Sequence, residues 1–188
     1  MRKAATGRLR TAARGRRMHI DFVAADQHEA LIDLMHEMCI FYSDEEPIAV
    51  DDVRSNLVDN LLAPHSPVRL VVAADDDGTV IGFAAFMLFH SLADPRPPRR
   101  GQMLLKELYV RQARQGSGVG KALMAWLARE ALARGCARMD WHVSATNKPA
   151  LSFYRALHAQ HVAGRLNYRL GGEYLARLAG EDAGDAKA

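Results

Sequence analysis

Gln115-Gly116-Ser117-Gly118-Val119-Gly120-Lys121 decides how this chain is read. The stretch follows an apolar segment, Met103–Val110, whose composition predicts a strand. It runs into a helical stripe formed by Val119, Leu123, Trp126 and Leu127, which Gly135 stops. Glycines admit backbone conformations closed to other residues and let a ligand approach the main chain. A helix start adds unpaired N–H groups and the positive end of a dipole. Strand, glycine loop and helix in that order make a cradle for a pyrophosphate, with a flexible glycine-rich turn as the alternative. Two familiar phosphate loops are excluded by spacing. A Walker loop needs Ser or Thr after its lysine, and Lys121 is followed by Ala122; a dinucleotide fingerprint would place glycine where Lys121 stands.

Working outward, the chain of 188 residues is long enough for one domain with tails. Its 49% hydrophobic and 25% charged residues are an ordinary globular balance. The longest apolar run, Ile81–Phe89, is about half a membrane span. The net charge of +3 invites a nucleic-acid reading, but seven cations fall in residues 1–17 with no acid among them. Removing those seven from the net +3 leaves −4. The basic character belongs to a tail expected to be disordered, which resembles a transit peptide in composition or is an extension upstream of a start at Met18. No recognition signature of a nucleic-acid-binding module accompanies it. The two cysteines, Cys39 and Cys136, read as packed thiols of helical segments in a reducing, cytoplasmic setting.

Periodicity supplies the rest of the order. His19–Val23 reads as a first strand. Asp26 followed by Glu29 reads as a helix start, and Leu31, Leu34, Met35, Met38 and Cys39 form one apolar face. An acidic loop, Asp44-Glu45-Glu46, precedes a second helix over about Val50 to Leu62. Val68–Ala74 and Val80–Phe89 are strands around the hairpin signal Asp75-Asp76-Asp77-Gly78. Arg138–Ser144 is a strand, Asn147 caps a further helix that tolerates Pro149, and short strands are expected near His161–Ala163 and Tyr168–Leu170. The expected fold is α/β: a mixed, mostly antiparallel sheet flanked by helices. The domain is expected over 18–179, between the tail 1–17 and a C-terminal tail 180–188.

Gln115-x-x-Gly118-x-Gly120 matches the Q/R-x-x-G-x-G/A motif of the GCN5-related N-acetyltransferase (GNAT) superfamily. Leu108-Tyr109-Val110 resembles that family's fourth strand, and Asn147 to Tyr154 resembles its N-x-P-A-x-x-F-Y segment. Within the superfamily the chain is most similar to diamine (spermidine/spermine-type) and thialysine acetyltransferases, through Glu45-Glu46, Cys136-Ala137-Arg138-Met139 and Glu173-Tyr174-Leu175. The resemblance implies a sheet splayed between its fourth and fifth strands. It implies acetyl-CoA as co-substrate, held by Gln115, Gly116, Ser117, Gly118, Val119, Gly120 and Lys121 at its pyrophosphate. Leu108, Tyr109, Val110 and Asn147 would hold its pantetheine arm. Tyr154 would protonate the departing thiolate, with a core aromatic as the alternative.

The acceptor it implies is a primary amine of a small molecule: a diamine, polyamine or lysine analogue. No metal, nucleic acid or membrane is called for, and a homodimer stays open. Glu107 is the candidate base, or else a helix-facing ion-pair partner. The diamine pattern has Glu where this chain has Lys106, and strand alternation sends neighbours to opposite faces, so Glu107 is the residue to watch. Glu45, Glu46 and His142 are candidates for receiving the amine; the alternatives are a solvated acidic loop and a packed strand histidine. Two rival functions remain, a non-catalytic acyl-CoA-binding module and a peptide or protein N-acetyltransferase.

Overall fold

Strand β1 (Met18–Phe22) leads through a single 3-10 turn into helix α1 (His28–Tyr42). The helix start is closed by Gln27, whose Oε1 accepts from the Ala24 N–H at 3.0 Å. Asp26 and Glu29 therefore do not form the expected cap; the side chain with the reach lies one residue after Asp26. The computed structural model describes residues 18–42, 47–97 and 99–180. Asp44, Glu45, Glu46 and both tails lie outside the described residues.

Helix α2 (Val50–Ser55) continues as a wider π-helical turn, Asn56–Leu61, in which Leu62 N–H donates to Leu57 O at 2.9 Å. Strands β2 (Arg69–Asp75) and β3 (Val80–His90) form the expected hairpin. Gly78 at φ +83° makes its turn, with Asp77 Oδ1 accepting from Thr79 N–H at 2.9 Å. Strand β4 (Gly101–Val110), helix α3 (Val119–Ala133) and strand β5 (Cys136–Trp141) complete one sheet of order β1-β2-β3-β4-β5. The first three pairings are antiparallel and β4–β5 is parallel, because α3 carries the chain back across the sheet.

β2 and the first part of β3 are buried on both faces, which is why their sequences are unbroken apolar runs. On one face Leu31, Ile32, Leu34 and Met35 of α1, with Val53 and Leu57, pack on Leu70, Val72, Phe83, Ala85 and Tyr109. On the other, Trp126 of α3 meets Phe22 edge-on at 5.2 Å and Phe86 at 6.4 Å. Close approach of α3 is fixed at Gly82: a Cβ there would stand 3.0 Å from Val119 Cγ1.

The β4–β5 pairing ends at Leu105 opposite Trp141, while β4 continues to Val110. At that point β4 also bulges against β3: Leu105 pairs with Phe86 and Glu107 with Ala85, leaving Lys106 as the extra residue. The sheet is thus splayed where the resemblance implies.

Three expectations are corrected. Cys136 opens a strand rather than lying in a helix. β5 stops at Trp141, so His142 is an exposed residue beyond the strand and not a packed one. Residues His161–Ala163 and Tyr168–Leu170 are not strands; they are extended or turning chain with exposed side chains, leading to helix α5 (Glu173–Ala179). Alternating apolar residues there have no strand partner among the described residues, and alternation without a partner makes no ladder.

The chain divides into two compact units, one ending at His142 and one beginning at Val143. The second holds helix α4 (Lys148–Ala156) and α5. No helix among the described residues is long and apolar enough to cross a membrane.

Candidate active site

Gly118 caps α3 in the left-handed region at φ +91°, and Gly116 lies at φ +73°. The first α3 amide to close on the cap is that of Ala122, on Gly118 O at 3.0 Å. The N–H groups of Gly118, Val119, Gly120 and Lys121 therefore have no acceptor within the helix. A Cβ at Gly116 or Gly118 would meet no protein atom within 4 Å. Those glycines are not required by packing; they serve the backbone conformation and leave the space above the amides clear. Ser117 Oγ donates to Arg114 O, which ties the loop down from below. Gln115 turns back to β4, its Nε2 donating to Val110 O at 3.1 Å. These groups fit a pyrophosphate: converging backbone donors at a helix start, in a loop whose side chains keep clear.

From the splay point to Val110, β4 has no β5 partner. Five residues of strand edge, roughly 17 Å at 3.3–3.4 Å per residue, lead directly to the loop. Leu108 is half-buried on this run, and Tyr109 is buried. An extended arm can add to such an edge through main-chain hydrogen bonds.

The bulge decides where Glu107 points. Leu105 faces α3 with its partner Phe86, whereas Glu107 shares Ala85's face, the side of α1. Without the extra residue, Leu105 and Glu107 would share a face. Glu107 is half-buried near the C-terminal end of α1, beside Cys39 and Tyr42. Burial pushes its carboxyl above the usual range, against the pull of a Leu108 N–H hydrogen bond and of Lys106. Cys39 and Tyr42 are both raised, first by burial and then by Glu107's charge. Lys106 is exposed at the bulge.

Sequence reasoning missed Tyr42, Phe41 and Glu37. Tyr42 and Phe41 stack toward Tyr109 with ring centroids 6.4 and 6.2 Å away. Both rings are about half exposed, an aromatic wall beside a half-buried carboxylate. Their position at the end of an apolar helix face, just before an acidic loop, was the available signal. Glu37 of α1 accepts from Tyr109 OH at 3.1 Å, Arg111 Nη1 at 2.8 Å and Gln112 N–H at 2.8 Å.

In the second unit, Asn147 caps α4, its Oδ1 accepting from Ala150 N–H at 3.1 Å. Its Nδ2 donors are left for another partner. Tyr154 is half-buried on α4, its ring 5.1 Å from that of Phe153. Among the described residues no group of three His, Cys, Asp or Glu is placed to hold a metal.

Comparison with known proteins agrees with this geometry. The pattern of the acetyltransferase (GNAT) family matches residues 30–159. Thialysine N-epsilon-acetyltransferase of Mus musculus is 30% identical over 104 residues, covering 54% of this chain and 58% of the mouse protein. The Bos taurus protein of the same name is 26% identical over 145 residues, 74% of this chain and 82% of its own. An integron cassette protein from the mobile metagenome of V. cholerae superposes with a TM-score of 0.77 at 30% identity, over 86% of this chain and 97% of that one. With the cradle, the splay and a match over most of its length, this chain belongs to the acetyltransferase (GNAT) family.

Proposed function

We propose that the protein is an acetyl-CoA-dependent N-acetyltransferase that acetylates a primary amine of a small molecule, a lysine analogue or a diamine, by direct attack in a ternary complex. One observation carries the reading: β4 runs from a half-buried, raised carboxyl at the splay point straight to a cradle of free helix-start amides. The thialysine N-epsilon-acetyltransferases among its relatives favour the small-amine acceptor.

Acetyl-CoA supplies the acetyl group as an activated thioester. The acceptor must lose a proton before it can attack. An alkyl amine titrates near 10, so about one molecule in a thousand is neutral at pH 7, a cost of roughly 4 kcal/mol. Glu107 is the residue to take that proton, and a carboxylate raised by burial is a better base than a solvated one. The strand edge around the bulge would orient backbone N–H groups toward developing negative charge. Tyr154 Oη is the donor for the sulfur, in the role the resemblance implies, and Glu45, Glu46 and His142 are the candidates to attract the cation. The free thiols of Cys39 and Cys136 suit a cytoplasmic setting.

The test is release of free thiol from acetyl-CoA with thialysine, lysine, diamines, polyamines, aminoglycosides and peptides as acceptors. Turnover confined to small aliphatic amines is expected. Turnover on peptides alone would move the acceptor class to proteins. Tight acetyl-CoA binding with no thiol released on any amine would make the protein a binding module.

A further inference from the structure

Glu37 is a carboxylate that meets both ends of this arrangement, and the inference drawn from it rests on the acetyltransferase reading. Its two oxygens take three donors from the stretch Tyr109–Gln112. The Arg111 partner is a guanidinium on a side chain itself about two-thirds buried, and charge-assisted bonds of this kind are the stronger class. Arg111 is also fixed by its backbone, whose N–H donates to Ile81 O at 3.0 Å. Three of the carboxylate's roughly four acceptor positions are thereby taken by this one stretch.

Its contacts divide into two sets. Gln112 begins the turn Gln112–Arg114, and Arg114 O anchors Ser117 just before the Gly118 cap. Holding Gln112 and Arg111 therefore sets where the amide cradle starts. Tyr109 carries the Phe41 and Tyr42 rings on the side of Glu107. Holding the Tyr109 hydroxyl therefore sets the aromatic wall. Elsewhere on α1 the Glu29–Arg54 pair ties that helix to α2 instead.

We propose that Glu37 is a positioning residue that couples the acceptor side of the site, at the end of α1, to the cofactor loop after β4. Loss of its charge loosens both at once, although it touches neither substrate.

Glu37→Gln keeps the side-chain shape and presents an amide where the guanidinium needs an oxygen. Calorimetry should show acetyl-CoA binding weakened at least fivefold, with amine kcat/KM lowered as well. Tyr109→Phe removes only the acceptor-side donor; it should raise amine KM and leave acetyl-CoA affinity within twofold. Arg54→Gln is the control for α1 stability, expected to lower Tm with both affinities within twofold. The Tyr109 phenol, pushed up to about 12 by burial and by Glu37, gives an independent reading. Its ultraviolet titration should move down in Glu37→Gln. Should Glu37→Gln not fold, Arg111→Lys takes its place with an expected loss of at least threefold in acetyl-CoA affinity. Affinity within twofold of wild type in a folded Glu37 or Arg111 variant overturns the proposal, as does an equal loss in Arg54→Gln. A wild-type protein that binds no acetyl-CoA sinks the acetyltransferase reading itself, before any variant is compared.

Discussion

Glu107 carries two consequences of being a half-buried carboxyl. In the proposed role of base, its replacement by Gln should lower kcat about 10²-fold, the low end for a lost proton acceptor, with acetyl-CoA affinity unchanged. The same variant should be more stable than wild type near pH 8. The sign follows from the direction of the shift: a carboxyl raised in the folded state resists ionising there. Below the unfolded value near 4.5 both states hold the proton and no difference remains. As pH rises from there through the folded value, the wild type loses stability that Gln does not. Thermal melts of the two proteins should therefore diverge as pH increases; curves that converge instead would remove the buried-carboxyl picture. Tyr154→Phe should also cost about 10²-fold in kcat, with acetyl-CoA affinity preserved. Unchanged kcat with a lower Tm would make that hydroxyl an anchor of α4's surroundings. Glu107 was legible in the sequence as a candidate, but its direction was not. Alternation along a strand fixes sides only while every residue has a partner, and nothing in Leu105-Lys106-Glu107 announces an extra one.

At the scale of elements, the loop before α3 separates strain from ligand contact. Gly118→Val forces a branched side chain to φ +91° and projects it into the space above the amides. Acetyl-CoA affinity should fall at least tenfold, about 1.4 kcal/mol. Gly78→Val is the matched control: φ +83°, equally open, but in the β2–β3 turn. Both should lose about 1–2 kcal/mol of stability from left-handed strain, and only Gly118→Val should lose affinity. Gly82→Ala acts differently, pressing on Val119 and Leu123 and on Tyr109 O. It should destabilise by about 1–3 kcal/mol through overpacking. The strand–loop–helix order and most element bounds could be read in advance because apolar runs, a glycine stop and an Asn cap are local signals. The strands expected after α4 could not be checked this way, since a ladder needs a neighbour that no local pattern reveals.

At the scale of the molecule, the sheet begins at Met18, directly after the basic stretch. Removing residues 1–17 takes seven cations and almost no core-forming side chain. Tm should stay within about 2 °C, equivalent to under ~1 kcal/mol for a chain of this size, and turnover should be unchanged. A larger loss in either would make those residues part of the domain. Family and fold were legible from several motifs in order: the glycine loop in its strand-helix setting, Leu108-Tyr109-Val110 before it and Asn147 to Tyr154 after it. The acceptor was not, because the residues that would select it are spread over α1, the loop after it and β4, far apart in sequence.

Lys106 looks like a flaw when only substrate charge is considered. It stands at the point where β4 parts from β5, and the five residues of β4 from there on have no β5 partner. An unpaired strand edge is a template for a second chain, and sheet proteins blunt such edges with bulges and lysines. Lys106 is both at once. The same opening that would admit an extended cofactor arm would otherwise admit a neighbour's strand, and a lysine at a bulge is a device that opposes such pairing. Lys106→Val should leave the melting temperature nearly unchanged and make concentrated protein self-associate, visible as light scattering that saturating CoA suppresses.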